Sequence, residues 1–508
     1  VSTALESTAL VTGRADAGPI LQDRWWWRTA LGDVAPDTPA WAVPQDGAPV
    51  EDDLGRDLAG GTPAGPGRPW PTGATARLAE RPYAGGVGGG GDAGPLDAWG
   101  HVVVTTFGPV RRDPDNPYND HRAYPSARCL FPVRAVERAG GRLGLLHPES
   151  RTTLDLGPVA RGPVDAPSLT LSGRYTAIPE SYGWMRGSLV GLELGIVLRQ
   201  LAVAATLHGV PLRVTPPGDA DPLADVDLDD PGSWSPAWTV TAGAVPAPAP
   251  LAPAVRRPPP RTDDPCLRDL AAALAEHPVT GPTVPLPAGV PDDLVPPASA
   301  TTWAETMWRR GSGRMPRGLH GFSLLPRRVP AAAVRDAVAW LRHPPPAGLL
   351  ADVHAATTAR VVLQDVDGLA DGLHRLTAGG DLERSGGHQD GAHLAAAVEA
   401  VYGYPRSPGV GCGIGSATAL WFLTVRPRDL VRRHGPAAWT AAQVSAGWIT
   451  QGLCLAAAAH GLVARPMRAF PEAGVADVLG LDPDEMVSIA VCVGTDPPTG
   501  GLQLDLRH

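Results

Sequence analysis

Apolar residues in this chain gather into two long helical stretches that echo each other. LELGIVLRQLAVAATLHGVPLRV, Leu192 to Val214, returns in pattern as VSAGWITQGLCLAAAAHGLVARP, Val444 to Pro466. Gly195 aligns with Gly447, Leu201 with Leu453, Ala204-Ala205 with Ala456-Ala457 and His208-Gly209 with His460-Gly461, all at an offset of 252 residues. Chance apolar helices share composition, but they rarely share glycines and a His-Gly stop in register, so the pattern predicts two copies of one fold in tandem. The first helix is expected from about Tyr182 to His208 and the second from Thr440 to His460. Shorter apolar runs predict strands around each. In the first half these are FPVRAVERA, LGLLH and a closing strand from Trp238 to Val245; HVVVTTFG precedes them. In the second half, ARVVLQDVDGL and DGLHRL form a hairpin, ATALWFLTV is a buried strand and MVSIAVCVG a final one. Helices are predicted near Cys266 to His277 and over AAAVRDAVAWLRH, which follows Pro330 and is stopped by Pro344. The resulting division is residues 1–95 of undecided structure, a first α+β domain at 96–245, a Pro-rich linker at 246–262 and a second α+β domain at 263–508.

Composition narrows the classes. A chain of 508 residues has room for about two to four domains. Its 61 Gly and 57 Pro favour long loops, and PAPAPLAPAVRRPPP, Pro246 to Pro260, reads as a polyproline-type spacer. All 43 basic residues are Arg, which excludes a lysine base or Schiff base. A net charge of −9 argues against nucleic acid as the main partner. The five cysteines Cys129, Cys266, Cys412, Cys454 and Cys492 contain no CxxC pair, so neither a zinc ribbon nor a disulfide framework is supported. No secretory signal is visible, and the apolar helices, interrupted by His or Arg, read as too short to span a bilayer. A cytoplasmic protein with no membrane association is the expectation.

Arg310-Gly311-Ser312-Gly313-Arg314 carries the sharpest local chemistry. Arginine offers bidentate donors to phosphate, serine adds a hydroxyl, and alternate spacing points all three side chains one way in an extended segment. Such a cluster suits the phosphate of a flavin mononucleotide (FMN); a solvated arginine-rich loop is the other reading. Trp25-Trp26-Trp27 is an anchor onto the body of the protein or a partner site. The Gly85–Gly91 run has no strand before it and is not a phosphate loop. Gly409, Gly411, Gly413 and Gly415 fail the dinucleotide-loop spacing. Asp390, between His388 and His393, reads as a helix cap rather than a metal ligand.

Arg-x-Ser-x-Arg at the opening of an α+β domain resembles the FMN-binding start of the nitroreductase superfamily. In that family FMN lies at a dimer interface, with a Pro-Ser segment of the opposite subunit against the ring. Here Ala123-Tyr124-Pro125-Ser126-Ala127, followed by Leu130-Phe131-Pro132, resembles the PSAGxLYP signature of the streptolysin-type (SagB-type) azoline dehydrogenases; Arg128 stands where that family has glycine. Those enzymes also carry a Lys-Tyr pair ahead of a similar helix. Arg174-Tyr175 matches it with Arg for Lys, and Tyr182-Gly183 is an alternative alignment. Because Arg does not give up its proton, Tyr175 becomes the candidate base, with Arg174 lowering its pKa. Trp439, Gly447 and Gln451 resemble the family's helix. Arg465-Pro466 to Gly474 resembles its loop over the flavin, with backbone of Ala469 to Gly474 toward the ring or a plain αβ connection as the two readings.

The resemblance implies tandem duplicated nitroreductase-like domains forming an intrachain pseudodimer. One FMN site would combine Arg310, Ser312 and Arg314 with Pro125, Ser126 and Ala127, and the second site would be degenerate. It further implies FMN-dependent oxidation of peptide thiazolines or oxazolines to azoles, with oxygen reoxidising the flavin. The implied partners are an azoline-containing precursor peptide and a cyclodehydratase, and further homodimerisation stays open. Two alternatives remain: a flavin-dependent reductase of dehydroamino acids in a peptide, and a non-catalytic scaffold subunit of a peptide-modifying complex.

Overall fold

Two antiparallel sheets, one in each half of the chain, dominate the computed structural model. The described residues are 57–59, 65–84, 95–114, 120–159, 166–218, 220–243, 257–313, 322, 324–385, 390–402, 413–468, 470–496 and 502–507. Trp25-Trp26-Trp27, the Gly85–Gly91 run, residues 246–256 of the spacer, Arg314, His388, Gly409, Gly411 and Ala469 lie outside them.

The first half contains β1 (Gly65–Pro69), α1 (Ala74–Ala79), α2 (Pro95–Phe107), β2 (Pro109–Arg112) and β3 (His121–Arg122). β4 (Val133–Ala139), β5 (Arg142–His147), β6 (Thr152–Pro158) and β7 (Ser168–Gly173) lead to α3 (Met185–His208), β8 (Leu212–Thr215) and β9 (Trp238–Ala242). Next come α4 (Pro265–Glu276), β10 (Val284–Pro285), α5 (Trp303–Arg309), α6 (Ala331–Arg342) and α7 (Leu349–Ala356). β11 (Thr358–Leu363), β12 (Gly372–Leu376), β13 (Leu382–Arg384), α8 (Gly391–Tyr402), β14 (Ala419–Val425) and α9 (Pro427–His434) follow. The chain ends with α10 (Ala438–Ala459), β15 (Val463–Met467), α11 (Glu472–Leu479), β16 (Met486–Gly494) and β17 (Leu504–Asp505).

The first sheet runs β1-β6-β5-β4-β7-β9-β8-β10 and the second β13-β12-β11-β14-β16-β15. With the edge strands β1 and β10 set aside, the orders coincide: the third strand, a hairpin, the central strand, the last strand, then the strand that follows the long helix. Every residue of β14 and β16 is buried, as expected for strands covered on both faces. Alternation sorts the β14 side chains. Ala419, Trp421 and Leu423 join a core with α6 and α10, whereas Leu420 and Phe422 meet Leu394 and Val398 of α8 and Val475 of α11. Several elements outside residues 96–245 also pack onto the first sheet. β1 pairs with β6, β10 pairs with β8, and Leu267, Leu270 and Leu274 of α4 enter the first-half core.

α3 and α10 cross at the centre of the contact between the halves. Both are apolar around nearly their whole circumference, the pattern of a helix buried on all sides. Their crossing is reciprocal. A Cβ on Gly195 would stand 1.9 Å from Val444 O and 2.9 Å from Trp448 N; one on Gly447 would stand 1.9 Å from Leu192 O and 3.0 Å from Ile196 N. Each contacted residue lies 252 positions from its counterpart, so one patch of each helix meets the same patch of the other. The length expectation for these helices needs correction. The 24 residues of α3 are long and apolar enough to cross a membrane, because Arg199 and His208 interrupt the stretch without ending it; the helix is instead buried in protein.

Candidate functional site

The capping box of α5 sets the first wall of the site. The Thr302 hydroxyl accepts from Glu305 N, the Glu305 carboxylate accepts from Thr302 N, and Trp303, Ala304, Thr306 and Met307 anchor one face. The helix ends at Arg310, whose backbone turns extended (φ −54°, ψ 110°). From there the chain runs beside β15: Ala464 N donates to Gly311 O at 3.0 Å, and Arg465 Nε donates to Ser312 O at 3.0 Å. Gly313, at φ 55°, makes the turn after Ser312 that an L side chain would resist.

Arg310 is 4% exposed, and its Nη2 donates to Arg122 O at 2.7 Å, across to the first half. Its Nε is buried without a hydrogen-bond partner. Burial lowers the guanidinium's pKa, with nearby Arg111 adding to the effect, and among the described residues Arg310 makes no ion pair. Arg111 itself is taken up: it donates to Asp113 Oδ1 at 3.0 Å and to Trp308 O at 2.8 Å.

The opposite wall is the segment from Arg122 to Phe131. Gln451, buried on α10, donates through Nε2 to Ala123 O at 3.1 Å and to Gln200 Oε1 at 2.7 Å, while its Oε1 is without a partner. Pro125 is buried, and Ser126 and Ala127 are half-buried. Ser126 Oγ accepts from Phe131 N at 2.9 Å and donates to Glu193 Oε2 of α3. Beyond it the backbone is strained: Arg128, Cys129 and Phe131 have φ of 52°, 54° and 47°. Each left-handed non-glycine residue costs roughly 1–2 kcal/mol. Arg128 therefore adopts a backbone region that glycine reaches freely. Arg122, 3.9 Å above the Phe131 ring, and Arg134, donating to Phe131 O at 2.8 Å, brace the turn.

The second group of expected residues lies elsewhere. Tyr175 is fully buried in the first-half core and its hydroxyl has no partner. Burial pushes its pKa far above the usual phenol value, and the cation acting against this is Arg257, not Arg174. Arg174 is held by Asp57 at 2.7 Å, the same carboxylate that takes Arg134, and by Thr176 Oγ1 at 2.8 Å. The expectation that Arg174 lowers the Tyr175 pKa is not met: Arg174 is turned to Asp57, and the cation that acts on Tyr175 is Arg257. Tyr182 is half-buried at the end of a short turn before α3. Gly474 packs against α8, where a Cβ would come within 2.6 Å of Val401 Cγ1, so a helix contact accounts for the glycine. Asp390 accepts from His393 N at 2.7 Å and caps α8.

Three groups that sequence reading passed over matter here: Glu193, Arg122 and Arg199. Glu193 and Arg199 are single charges inside an apolar helix, a signal that was visible. Arg199 lies 252 residues before Gln451, but its surroundings differ. It is fully buried between Trp340 and Trp448, 4.7 Å and 4.5 Å from the ring centroids. Nη1 donates to His343 O at 3.3 Å, Nε and Nη2 have no partners, and burial holds the pKa well below the ordinary arginine value. Trp303 and Tyr83 extend this aromatic cluster, and Trp340 Nε1 donates to the Tyr83 hydroxyl at 2.7 Å.

Residues 392–495 match the nitroreductase family model. The nitroreductase match runs from α8 to β16, so it includes Gln451 and Arg465 but neither Arg310 nor Pro125–Ala127. A solved structure named as a nitroreductase, from Anabaena variabilis, shares the fold with a TM-score of 0.61 at 13% identity. It covers 94% of this chain and 99% of that one, so the likeness spans both sheets. A second nitroreductase-named structure, from Ralstonia eutropha, overlaps 40% of this chain and 89% of its own at 16% identity and a TM-score of 0.29. The Escherichia coli microcin synthetase McbBCD complex with truncated pro-MccB17 overlaps 36% of this chain and 70% of its own, at 12% identity and a TM-score of 0.28. No curated protein sequence matches the chain. The chain thus has a mixed α/β nitroreductase-like fold.

Proposed function

We propose that the seam between Arg122–Phe131 and Arg310–Ser312 is an FMN site, and that the chain is an intrachain pseudodimer of nitroreductase-like halves that keeps one such site. The buried Arg310 carries the reading. A guanidinium with an unused Nε and no carboxylate is the group an anionic phosphate completes. Ser312 stands two residues on; Arg314 would extend the cradle. Identical strand orders and the reciprocal glycine crossing support the duplication. The aromatic fill around Arg199 supports loss of the second site.

When bound, FMN supplies a two-electron acceptor for hydride. The chain's own residues supply the rest: Arg310 and Ser312 bind the phosphate, and Pro125 and Ala127 offer apolar surface beside it. Gln451 ties that surface to α10 and keeps Oε1 as an acceptor. For the substrate we infer a peptide thiazoline or oxazoline, which loses a hydride and a proton to become the azole while oxygen is the final electron acceptor. The Ala123–Pro132 segment, with its likeness to azoline dehydrogenases, supports this, and a cyclodehydratase would then supply the substrate. Tyr175, buried and with its pKa raised, is not the proton acceptor on this reading.

Titrating purified protein with FMN and recording flavin absorbance and fluorescence tests the site. Saturable one-to-one binding that Arg310→Ala weakens at least tenfold is expected; no binding rejects it. Mass spectrometry of an azoline peptide after incubation tests the reaction. Loss of two hydrogens per ring supports it. A gain of two hydrogens that requires a nicotinamide identifies a reductase, and unchanged mass with no flavin bound identifies a scaffold.

A further inference from the structure

Glu193 is the one carboxylate that the apolar α3 helix carries into the core, and it is aimed at the strained turn of the seam. Its Oε2 accepts the Ser126 hydroxyl and its Oε1 accepts Val133 N at 3.4 Å. The charged groups that face it are already committed. Arg122 of β3 pairs with Glu149 at 3.2 Å, and Arg134 of β4 pairs with Asp57 at 2.8 Å. The Tyr124 phenol, the remaining titratable neighbour, accepts from Arg122 Nη1 at 3.0 Å and is held protonated by burial, its pKa raised to about 12. Among the described residues, Glu193 therefore has no counter-ion of its own. Burial raises its pKa to about 7 against the lowering effect of Ser126, Val133 N, Arg122 and Arg134.

We propose that Glu193 is a positioning residue that sets the direction of the Ser126 hydrogen bond, and that the proton it carries decides whether Ser126 donates into the seam. An ionised carboxylate only accepts, so it takes the Ser126 hydroxyl proton, and Ser126 then offers the seam no donor. A protonated Glu193 donates instead to the second lone pair of Ser126 Oγ, whose first is held by Phe131 N–H. The Ser126 proton is thereby released toward the seam. The strained Arg128–Phe131 turn stays braced in both states by Arg122 and Arg134, so the switch moves a proton and leaves the backbone in place. The functional consequence rests on the FMN reading above: binding of an electron-rich ligand beside Ser126 takes up a proton.

Two measurements separate this inference from that reading. The first uses FMN itself. Between pH 6 and pH 8 the Kd of the wild-type protein should rise about tenfold relative to Glu193→Gln, the limit for one linked proton titrating near 7. In that variant the side-chain amide donates to Ser126 and its carbonyl accepts from Val133 N, as the neutral acid would. The phosphate's own titration is common to both proteins and cancels. Ser126→Ala should flatten the dependence in the same way, and serves if Glu193→Gln folds poorly. The second measurement needs no flavin: amide hydrogen exchange at Phe131 and Val133, corrected for intrinsic rate, should change with a midpoint near pH 7 in wild type and not in Glu193→Gln. Failure to bind FMN with this exchange behaviour intact would reject the flavin site and keep the switch. The same pH dependence in wild type and Glu193→Gln in both assays overturns the switch.

Discussion

Replacing Gly447 by Ala drives a methyl group into the backbone of the facing helix. The added Cβ would lie 1.9 Å from Leu192 O, whereas unstrained C···O contacts begin near 3.2–3.3 Å. The gap has to open by more than about 1 Å, and no flexible side chain stands in the way to absorb it. Overpacking of a dense core costs about 1–3 kcal/mol and occasionally more. The intrinsic helix gain of Ala over Gly returns about 1 kcal/mol. A rigid backbone-on-backbone clash belongs at the upper end, so a net loss of about 2 kcal/mol is expected. Gly195→Ala meets the mirror contact with Val444 O and should cost the same. Because both methyls separate one crossing, the double variant should lose clearly less than the sum of the singles. Urea unfolding followed by Trp fluorescence and far-UV dichroism reads all three. Single variants within about 0.5 kcal/mol of wild type, or strictly additive losses, would refute a shared reciprocal contact.

Arg199→Met removes a buried cation that has no counter-ion among the described residues while keeping most of its stem between the two Trp rings, so unfolding measurements should find it neutral or more stable by about 1 kcal/mol. His208 is buried beside Thr105 and its pKa is lowered to about 3. The unfolded chain binds that proton first, so stability is full above the ordinary histidine pKa and falls as pH drops below about 6.5, by at most about 1.4 kcal/mol per unit; His208→Gln should flatten the acid limb of the stability profile. Tyr175→Phe should leave FMN affinity and the pH profile of turnover unchanged, since the buried hydroxyl makes no hydrogen bond and does not ionise near neutrality; a shifted profile in a steady-state assay would return Tyr175 to the chemistry.

Periodicity exposed the long helices and the central strands because their apolar residues repeat without interruption. The Leu192–Val214 and Val444–Pro466 echo pointed to two copies, and the structure adds that the glycines matched in register are the ones at the crossing. α4 was expected as a helix but not in the first-half core, and β1 and β10 were harder. GPGRP and the pair Val284-Pro285 have too few apolar positions to show a period, and they join the first sheet only through partners distant in sequence. At the seam, Arg310 and Pro125–Ser126 stood out in the sequence, because an arginine two residues from a serine suits an anion and Pro-Ser suits a turn. For the Arg174-Tyr175 pair, local order could not reveal that Asp57, more than a hundred residues away, takes up Arg174. Glu193 and Arg199 were visible as lone charges among leucines, but such a charge reads only as a break in a pattern until the opposite wall is known.

The pairing of α3 with α10 also imposes a timetable on synthesis. The ribosome makes the second helix about 250 residues after the first, which at about 5–20 residues per second is a wait of roughly 12–50 s. During that interval the face of α3 that α10 covers, around Leu192–Ile196, has no partner, although the other faces of this 24-residue apolar helix pack against α2 and the first sheet. A truncated first half would present the same surface permanently. The second half therefore completes the cover of α3 late, closing the one face that the first half leaves open.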